Sequence, residues 1–384
     1  MESDRVARLL ELHARRTHVV VGLMSGTSAD GVDAAVVRIE DAPPGITTEL
    51  LAFVESPHAP ALRDRILAAA RTTAAELAQL DFDLGDVLAA AAEQAISRAN
   101  TAVDFVGSHG QTIVHLPRGT KSRGATMQLG QAAIIAERTG FPVVSDFRVR
   151  DMALGGEGAP LVPLVDHLVF ARPGERRVLL NLGGIANLTS VTGRLDDLLA
   201  FDTGPANALM DALVREATKG VERCDQDGAR AARGRVLPGV LAELLDEPFQ
   251  RQQPPRSADR DAYGSARART LLARGHTLDD LVATAMEFTV QAIARAAAFL
   301  PREAVPWDRV IASGGGTRNP TLMRRLRETL RVRVDTTDDH GIPSQAKEAI
   351  AFAILARQTI LGRPGNLERA TGASRATILG TITP

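Results

Sequence analysis

Three hydroxyls and two carboxylates are gathered in one short glycine-rich segment, Gly22–Asp33, which reads GLMSGTSADGVD. The segment stands between two strand-like runs, His18–Val21 and Val32–Ile39, so the pattern predicts the tip of a β-hairpin. Glycines let backbone N–H groups come close to phosphate oxygens, and Asp30 and Asp33 can then face a phosphate-bound Mg²⁺. The lysine of a Walker loop is missing. The segment therefore predicts phosphate binding, and a hairpin that only turns the chain is the alternative.

A further carboxylate, Asp202, ends the apolar run Leu198–Phe201 and precedes Thr203-Gly204-Pro205. This order places it at the end of a strand and above the start of a helix, which is where ligands bind in α/β sheets. We expect a ligand-facing carboxylate there. The alternative is a simple N-cap of the helix that begins near Pro205.

Two arginines, Arg148 and Arg150, follow the predicted strand Pro142–Asp146. A guanidinium binds a carboxylate through two parallel hydrogen bonds, so either residue is a candidate for an acidic substrate group. The alternative is a solvated charge run that pairs with Asp146 and Asp151.

The elements that must position these residues form two similar openings. The first is predicted as three strands, two helices and a strand: His18–Leu23, Val32–Ile39, Leu50–Glu55, Ala61–Thr72, Ala74–Ala99 and Val103–Ser108. The second repeats the three strands around the tip Gly183-Gly184: Val178–Leu182, Ile185–Val191 and Leu198–Asp202. A later strand, Val310–Ser313, delivers Gly314-Gly315-Gly316, and Asn319-Pro320 has the form of a helix N-cap followed by Pro at N1. The repetition predicts two related α/β domains facing one cleft.

Composition excludes several other classes of protein. The formal net charge of −1 over 384 residues gives no electrostatic reason to expect binding to nucleic acid or to a membrane surface. The single Cys224 excludes an intramolecular disulfide and a cysteine zinc cluster. Apolar runs are short, and Met1–Arg16 is too charged for a signal peptide. We expect a cytoplasmic protein of two domains.

When its other motifs are included, the chain resembles the anhydro-N-acetylmuramic acid kinase family from about Val19 to about Gly372. The landmarks besides GLMSGTSADGVD are Ser108-His109-Gly110-Gln111-Thr112, Asp146-Phe147-Arg148, Gly158–Pro163, Asn181–Leu188, Phe201–Pro205, Gly314-Gly315-Gly316 with Asn319, and Lys347-Glu348-Ala349. Any one of these tripeptides is weak on its own, but their order and spacing together are specific.

The resemblance implies a fold and an activity. The fold is that of the actin, Hsp70 and sugar-kinase superfamily: two ribonuclease-H-like domains, duplicated βββαβα units, around a nucleotide cleft. We expect 17–145 with about 366–384 in the first domain and 146–365 in the second. The implied reaction uses ATP, Mg²⁺ and water to open 1,6-anhydro-N-acetylmuramate and phosphorylate its O6, a step of peptidoglycan recycling. The partner is this small molecule, and the oligomeric state stays open, with a homodimer as one option.

The resemblance also implies residue roles. Asp202 falls on the catalytic aspartate, and Glu348 is a second carboxylate near the cleft. Sugar contacts fall on His109, Gln111, Thr112, Gln128, Arg148 and Arg150, and a metal role falls on Asp30 and Asp33. Nucleotide contacts fall on Ser25, Gly26, Thr27, Ser28, Ala29, Asp30, Gly31, Val32 and Asp33, on Gly183, Gly184 and Asn187, and on Gly314, Gly315, Gly316 and Asn319.

Three positions depart from the family pattern. Ala206 stands where Gly is usual, Gln131 stands where an acid is common, and Arg256–Tyr263 matches the usual KSTGRExF only at Ser257 and Arg260. Two other functions remain open on the sequence. One is a kinase of a different sugar on the same fold, and the other is a non-catalytic sugar sensor, for which the residues before the first strand are too few to form a helix-turn-helix.

Overall fold

The structure is a computed structural model of the chain that describes residues 2–118, 123–254, 256–259, 261–300 and 304–384. Arg260, one of the two family matches in the Arg256–Tyr263 segment, lies outside the described residues. The chain divides into two compact units, Met1–Val169 with Gly341–Pro384, and Phe170–His340. Within the described residues, no helix is both long enough and apolar enough to cross a membrane.

The first unit is built on a seven-stranded sheet. Its strands are β1 Thr17–Ser25, β2 Gly31–Ala42, β3 Gly45–Pro57, β4 Phe105–Leu116, β5 Ala125–Leu129, β6 Val143–Ser145 and β12 Thr381–Thr383. Its helices are α1 Glu2–Ala14, α2 Pro60–Ala68, α3 Ala74–Ala99, α4 Ala132–Thr139, α5 Val149–Ala153, α6 Val162–Phe170 (whose last residue falls in the second unit), α14 Lys347–Ile360 and α15 Glu368–Thr371. The sheet order is β12-β6-β4-β1-β2-β3, with β5 paired to β4.

Helices cover both faces of this sheet because successive side chains of a strand point to opposite faces. Val21 and Leu23 of β1 pack with α3 in one apolar cluster. Gly22, between them, faces α14: a Cβ built there would lie 1.8 Å from the carbonyl oxygen of Ala349. Gly107 of β4 makes the same close approach, 2.5 Å from the carbonyl oxygen of Phe352. Glycine at these two strand positions lets α14 lie directly on the sheet.

The second unit contains a five-stranded sheet. Its strands are β7 Arg177–Leu182, β8 Ile185–Val191, β9 Leu199–Pro205, β10 Arg309–Ser313 and β11 Arg333–Thr336. Its helices are α7 Ala208–Ala217, α8 Ala229–Arg233, α9 Pro238–Leu245, α10 Pro248–Arg251, α11 Ser265–Leu272, α12 Leu278–Ala296 and α13 Pro320–Leu330. Helix α12 lies at the centre of this unit's core, where Leu281, Phe288 and Ile293 are fully buried.

Both units have the strand order of a ribonuclease-H-like domain. In the first, β1, β2 and β3 form an antiparallel meander, and β4 and β6 continue parallel to β1. In the second, β7, β8 and β9 form the meander, and β10 and β11 continue parallel to β7. The duplicated βββ opening predicted from the sequence is therefore confirmed.

The two units differ in extent from the expected domains. Residues 146–169 and 341–365 group with the first unit, although we expected them in the second. The physical reason lies in α14, whose small residues pack on β1, β2 and β4. As a result Glu348, at the first turn of α14, belongs to the first unit.

Local signals fix several element ends. Thr277 caps α12, because its side chain accepts a hydrogen bond from the N–H of Asp280. Asn319 caps α13 through a hydrogen bond from the N–H of Leu322, and Pro320 stands at N1. Ala206 does not adopt the left-handed backbone that glycine favours, so its methyl group is accommodated without strain.

Candidate functional site

The first hairpin tip, Gly26–Asp30, joins β1 to β2. A turn closes it, because the N–H of Ala29 donates to the carbonyl oxygen of Gly26 at 3.1 Å and Ala29 has a positive φ of 53°. Thr27, Ser28 and Asp30 are exposed there, whereas Ala29 is buried. The tip therefore turns two hydroxyls and one carboxylate outward.

Gln111 of β4 holds this tip in place. Its Oε1 accepts a hydrogen bond from Ser25 Oγ at 2.6 Å, and its Nε2 donates to the carbonyl oxygen of Gly26 at 3.0 Å. Gln111 and Ser25 are both buried. Gln111 therefore ties β4 to the tip, and its expected contact with the sugar stays a prediction.

His58 is a partner of the tip that sequence reasoning missed. Its Nε2 lies 3.2 Å from Ser25 Oγ, and its backbone N–H donates to the carbonyl oxygen of Asp30 at 2.9 Å. Burial lowers the pKa of His58, so the ring is neutral near pH 7. No sequence pattern marked it, because it meets Ser25 only after β3 has folded back beside β2.

The glycines of the tip segment have different physical causes. Gly22 makes room for α14, as described above, and Gly31 makes room for β3, since a Cβ there would lie 2.4 Å from the carbonyl oxygen of Ser56. At Gly26 the nearest atom to an added Cβ is Ser28 Oγ, at 3.7 Å. Packing within the described chain therefore accounts for Gly22 and Gly31 but not for Gly26.

Four carboxylates lie close enough to influence one another beside this hairpin: Asp30, Asp33, Glu55 and Glu348. Asp33 of β2 stands opposite Glu55 of β3 in the strand register, an arrangement of like charges that is unfavourable. Burial, Glu55, Glu348 and Asp30 together raise the pKa of Asp33 to about 6. Burial also raises the pKa of Glu348, and the charges of Lys347 and Arg148 act against that rise. Among the described residues, no group of three or more side chains is arranged to hold a metal ion by itself.

Arg148 is held by neutral partners on the same side of the first unit. His109 Nδ1 lies 2.9 Å from the carbonyl oxygen of Gly110, so Nδ1 carries the proton and Nε2 is free to accept. Arg148 donates to that Nε2 through Nε at 3.1 Å and Nη2 at 2.9 Å, and through Nη1 to the carbonyl oxygen of Gly158 at 2.7 Å. Burial and the Arg148 charge lower the pKa of His109 to about 3. The ring is thus a neutral support for the guanidinium and cannot serve as a base near pH 7.

The loop that contacts Arg148 is fixed by Asp151, a fully buried carboxylate. Asp151 Oδ2 accepts from the N–H of Gly158 at 2.8 Å, and Oδ1 accepts from Asn366 Nδ2 at 2.7 Å and Thr371 Oγ1 at 2.6 Å. The sequence offered Asp151 as the partner of an arginine charge run. The structure uses it to join the loop after α5 to the segment around α15.

Arg150 is not brought together with Arg148. It is exposed on α5 and lines a cavity of about 500 Å³ with Arg375, Thr377 and the apolar residues Leu154 and Ile378. Arg148, by contrast, is close enough to Glu348 that the charge of each affects the pKa of the other.

Thr112 and Gln128 stand opposite each other on β4 and β5. Gln128 Nε2 donates to Thr126 Oγ1 at 2.7 Å and to Thr112 Oγ1 at 3.3 Å. Gln128 Oε1 has no hydrogen-bond partner within the described chain. This pair therefore keeps one oxygen acceptor unused.

Asp202 lies within β9, opposite Asn187 of β8. It does not cap α7, because the N-cap of α7 is Asn207. Its Oδ2 accepts from the N–H of Ala258 at 2.8 Å and from Ser257 Oγ at 3.2 Å, and no hydrogen bond from the described residues reaches its Oδ1. Burial raises the pKa of Asp202, while those two hydrogen bonds and the charge of Arg256 lower it.

The second hairpin tip, Gly183-Gly184, is anchored by the start of α7. The carbonyl oxygen of Gly184 accepts from the N–H groups of Ala206 and Ala208, and that of Gly183 accepts from the N–H of Asn207 at 3.0 Å and from its Nδ2 at 2.8 Å. An added Cβ on Gly183 would meet nothing closer than 3.5 Å. The tip is thus fixed by its carbonyl oxygens while Gly183 stays open.

The triple glycine after β10 is required mainly by the backbone. Gly314 has a φ of 85°, and a Cβ there would lie 2.9 Å from the carbonyl oxygen of Leu182; at Gly316 a Cβ would lie 2.7 Å from Leu182 Cβ. Gly315 is open, with nothing within 3.5 Å of an added Cβ. Asn319 is buried, and its Oδ1 is occupied by the cap of α13.

Two ribonuclease-H-like units, each with a fixed hairpin tip that keeps one glycine open, define the class of actin-like ATPases and sugar kinases. Within that class the chain belongs to the anhydro-N-acetylmuramic acid kinase family, whose family model matches residues 18–384. It is therefore a phosphotransferase, and the expectation of a non-catalytic sensor is set aside.

Individual relatives agree with the family match. An anhydro-N-acetylmuramic acid kinase of Caldanaerobacter subterraneus subsp. tengcongensis is 40% identical, over 98% of this chain and 99% of the relative. Enzymes of the same name from Salinibacter ruber and Streptomyces coelicolor are 43% and 44% identical, over 97% and 95% of this chain and 98% and 93% of their own lengths.

Proposed function

We propose that the chain converts 1,6-anhydro-N-acetylmuramate, ATP and water into N-acetylmuramate 6-phosphate and ADP. The observation that carries the proposal is the state of Asp202. One carboxylate oxygen is held by Ser257 and Ala258, and the other receives no hydrogen bond from the described residues. A fixed carboxylate with one free oxygen is suited to accept a proton from a water molecule.

The bond changes of the proposed reaction balance as follows. Asp202 takes a proton from water as the water oxygen bonds to C1 of the sugar. The C1–O6 bond breaks, and O6 leaves with the electron pair of that bond. O6 then bonds to the γ-phosphorus of ATP as the bond from that phosphorus to the bridging oxygen breaks, and ADP departs. A positioned base contributes about 10²- to 10⁴-fold to such a step, and in-line placement of the phosphoryl group contributes much of the rest.

The acidic side chain of the sugar requires a cation, and Arg148 is the arginine suited to it. A guanidinium has five N–H donors, and the contacts to His109 and Gly158 leave donors for a carboxylate. Its bonded partners are neutral, so its charge is available to the lactyl carboxylate. Gln128 Oε1 is suited to accept a hydrogen bond from the N–H of the acetamido group.

The two hairpin tips are the proposed phosphate contacts. Gly26 and Gly183 are open positions where backbone can approach a phosphate closely, and Gly315 offers the same for the adenosine part of ATP. The carboxylates of Asp30 and Asp33 suit Mg²⁺, which is commonly held by one or two carboxylates together with substrate phosphates. Burial and the nearby carboxylates Glu55, Glu348 and Asp30 raise the pKa of Asp33 to about 6, and a bound cation would offset both effects. When bound, the ion neutralises charge on the transferring phosphoryl group.

The proposal is tested by ADP release with 1,6-anhydro-N-acetylmuramate against a panel of hexoses and N-acetylhexosamines. Of the sugars in the panel, we expect only the anhydro sugar to be turned over. The dependence of that turnover on Mg²⁺ tests the metal assignment. Faster turnover of an ordinary hexose with a free 6-hydroxyl would contradict the proposal and would indicate a kinase of another sugar. Such a kinase would need no activated water.

A further inference from the structure

Arg256 has an unusual environment for a cation in the second unit. It is 6% exposed, and its guanidinium lies over the rings of Phe299, Phe249 and Phe201, at 4.5, 4.9 and 5.3 Å from their centres. Three aromatic faces attract a cation electrostatically. Among the described residues, Arg256 has no ion pair with a carboxylate within hydrogen-bond distance.

The hydrogen bonds of this guanidinium all go to backbone carbonyl oxygens. Its Nη1 donates to Gln252 at 3.0 Å and to Phe249 at 3.2 Å, and its Nε donates to the carbonyl oxygen of Asp202 at 2.8 Å. A buried charge without such partners is strongly unfavourable. Arg256 therefore joins the segment after α10 to the strand that carries Asp202.

The same segment makes three further hydrogen bonds with Asp202. The carbonyl oxygen of Arg256 accepts from the N–H of Asp202 at 3.3 Å. The next two residues, Ser257 and Ala258, hold its Oδ2. The buried Arg256 thus fixes both the backbone of Asp202 and the residues that orient its carboxylate.

We propose that Arg256 is a positioning residue, which holds the segment 256–258 against β9 so that the free oxygen of Asp202 is aimed at the attacking water. The inference rests on the proposed role of Asp202 as the base.

The electrostatic consequence has a defined sign. The Ala258 N–H, the Ser257 hydroxyl and the Arg256 charge each lower the pKa of Asp202, against the effect of burial. Burial lowers the pKa of Arg256, and the charge of Asp202 acts against that effect. Removing the arginine should therefore raise the pKa of Asp202 and leave less of the base ionised at the acidic end of the activity range.

The test uses the full-length protein with Arg256→Gln or Arg256→Lys, and the control is Arg251→Gln at the exposed last residue of α10. For Arg256→Gln we expect kcat to fall by about 10- to 100-fold, because a small misplacement of a reacting group has effects of that size. The KM for ATP should stay unchanged, and the acidic limb of the pH–rate profile should move to higher pH. Arg256→Lys keeps the charge over the rings and should keep the limb in place.

Two further measurements keep the inference decidable. Ser257→Ala removes only one hydrogen bond to Asp202 and should move the acidic limb in the same direction, even if Arg256→Gln does not fold. The ¹³C chemical shift of Asp202 reports its pKa without any turnover, so it separates this inference from the proposed reaction. The assignment would be overturned if the acidic limb of the pH–rate profile and the pKa of Asp202 both stayed at their wild-type values in folded Arg256→Gln. If Arg256→Gln does not fold, the same result in Ser257→Ala would overturn it.

Discussion

The charge of Arg148 should determine the affinity for a sugar that carries a lactyl carboxylate. The perturbation is Arg148→Ala, with Arg148→Lys as the conservative variant and Arg150→Ala as the matched control two residues away. Arg148 is fixed by His109 and Gly158, and no rearrangement is needed before it binds an anion. A hydrogen bond to a charged group is worth about 1.5–3 kcal/mol, which corresponds to about a 10- to 150-fold rise in KM for Arg148→Ala.

The assay compares initial rates of ADP release for 1,6-anhydro-N-acetylmuramate and for the anhydro sugar without the lactyl group. Arg148→Ala should raise KM for the first far more than for the second, and Arg148→Lys should recover only part of the loss because a point charge lacks the planar fork. The ratio of the KM of Arg148→Ala to the wild-type KM for the anhydro sugar should be constant above about pH 5, because the pKa of His109 is held near 3. Equal losses on both sugars, or an equal effect of Arg150→Ala, would refute the reasoning.

Three other perturbations address the base, the glycines and the acidic cluster. Asp202→Asn keeps the shape but removes the base, so turnover should fall by about 10²- to 10⁴-fold while calorimetry shows unchanged ATP binding; near wild-type turnover would reduce Asp202 to a structural group. Gly22→Ala places a methyl 1.8 Å from the backbone of α14 and should lower the free energy of unfolding by about 1–3 kcal/mol or more, whereas Gly26→Ala should leave denaturant unfolding unchanged and raise the KM for ATP. Because the pKa of Asp33 is raised from 3.8 to about 6, the folded state binds more protons than the unfolded state between those values, so Asp33 should make the free energy of unfolding fall as pH rises from 3.8 to about 6. Asp33→Asn should remove that contribution in urea titrations, and an unchanged pH dependence would contradict the shifted pKa.

Local patterns carried the prediction of the fold. Strand-like runs on either side of Gly22–Asp33 and of Gly183-Gly184 indicated two hairpins, and their repetition indicated the duplicated unit. The extent of each unit did not follow, because it depends on which sheet a buried helix covers. Residues 349–356 are apolar without interruption, so the sequence does not indicate which sheet they cover. The close contacts at Gly22 and Gly107 show that α14 packs on the first sheet.

For the candidate site, the sequence indicated candidate residues but not the contacts that hold them. Asp202, Arg148 and the two tips were proposed from residue type and sequence position, and their roles stay predictions. The expected strand end at Asp202 was wrong, because β9 continues to Pro205. The role of Gln111 in holding the first tip could not be predicted, because its hydrogen bonds to Ser25 and Gly26 form only when β4 lies beside β1. The three aromatic rings around the Arg256 guanidinium could not be predicted either, since Phe201, Phe249 and Phe299 come from three separate segments that meet only in the folded unit.

The coupling of ring opening to phosphorylation is tested most directly by the source of the oxygen atoms. The reaction is run in ¹⁸O-labelled water, and the product is analysed early, before the anomeric oxygen exchanges through the open-chain form. If Asp202 activates water for attack on C1, the label should be found on the anomeric carbon and not in the bridge between C6 and the phosphate. Label in that bridge would show that O6 came from water, and it would contradict the mechanism.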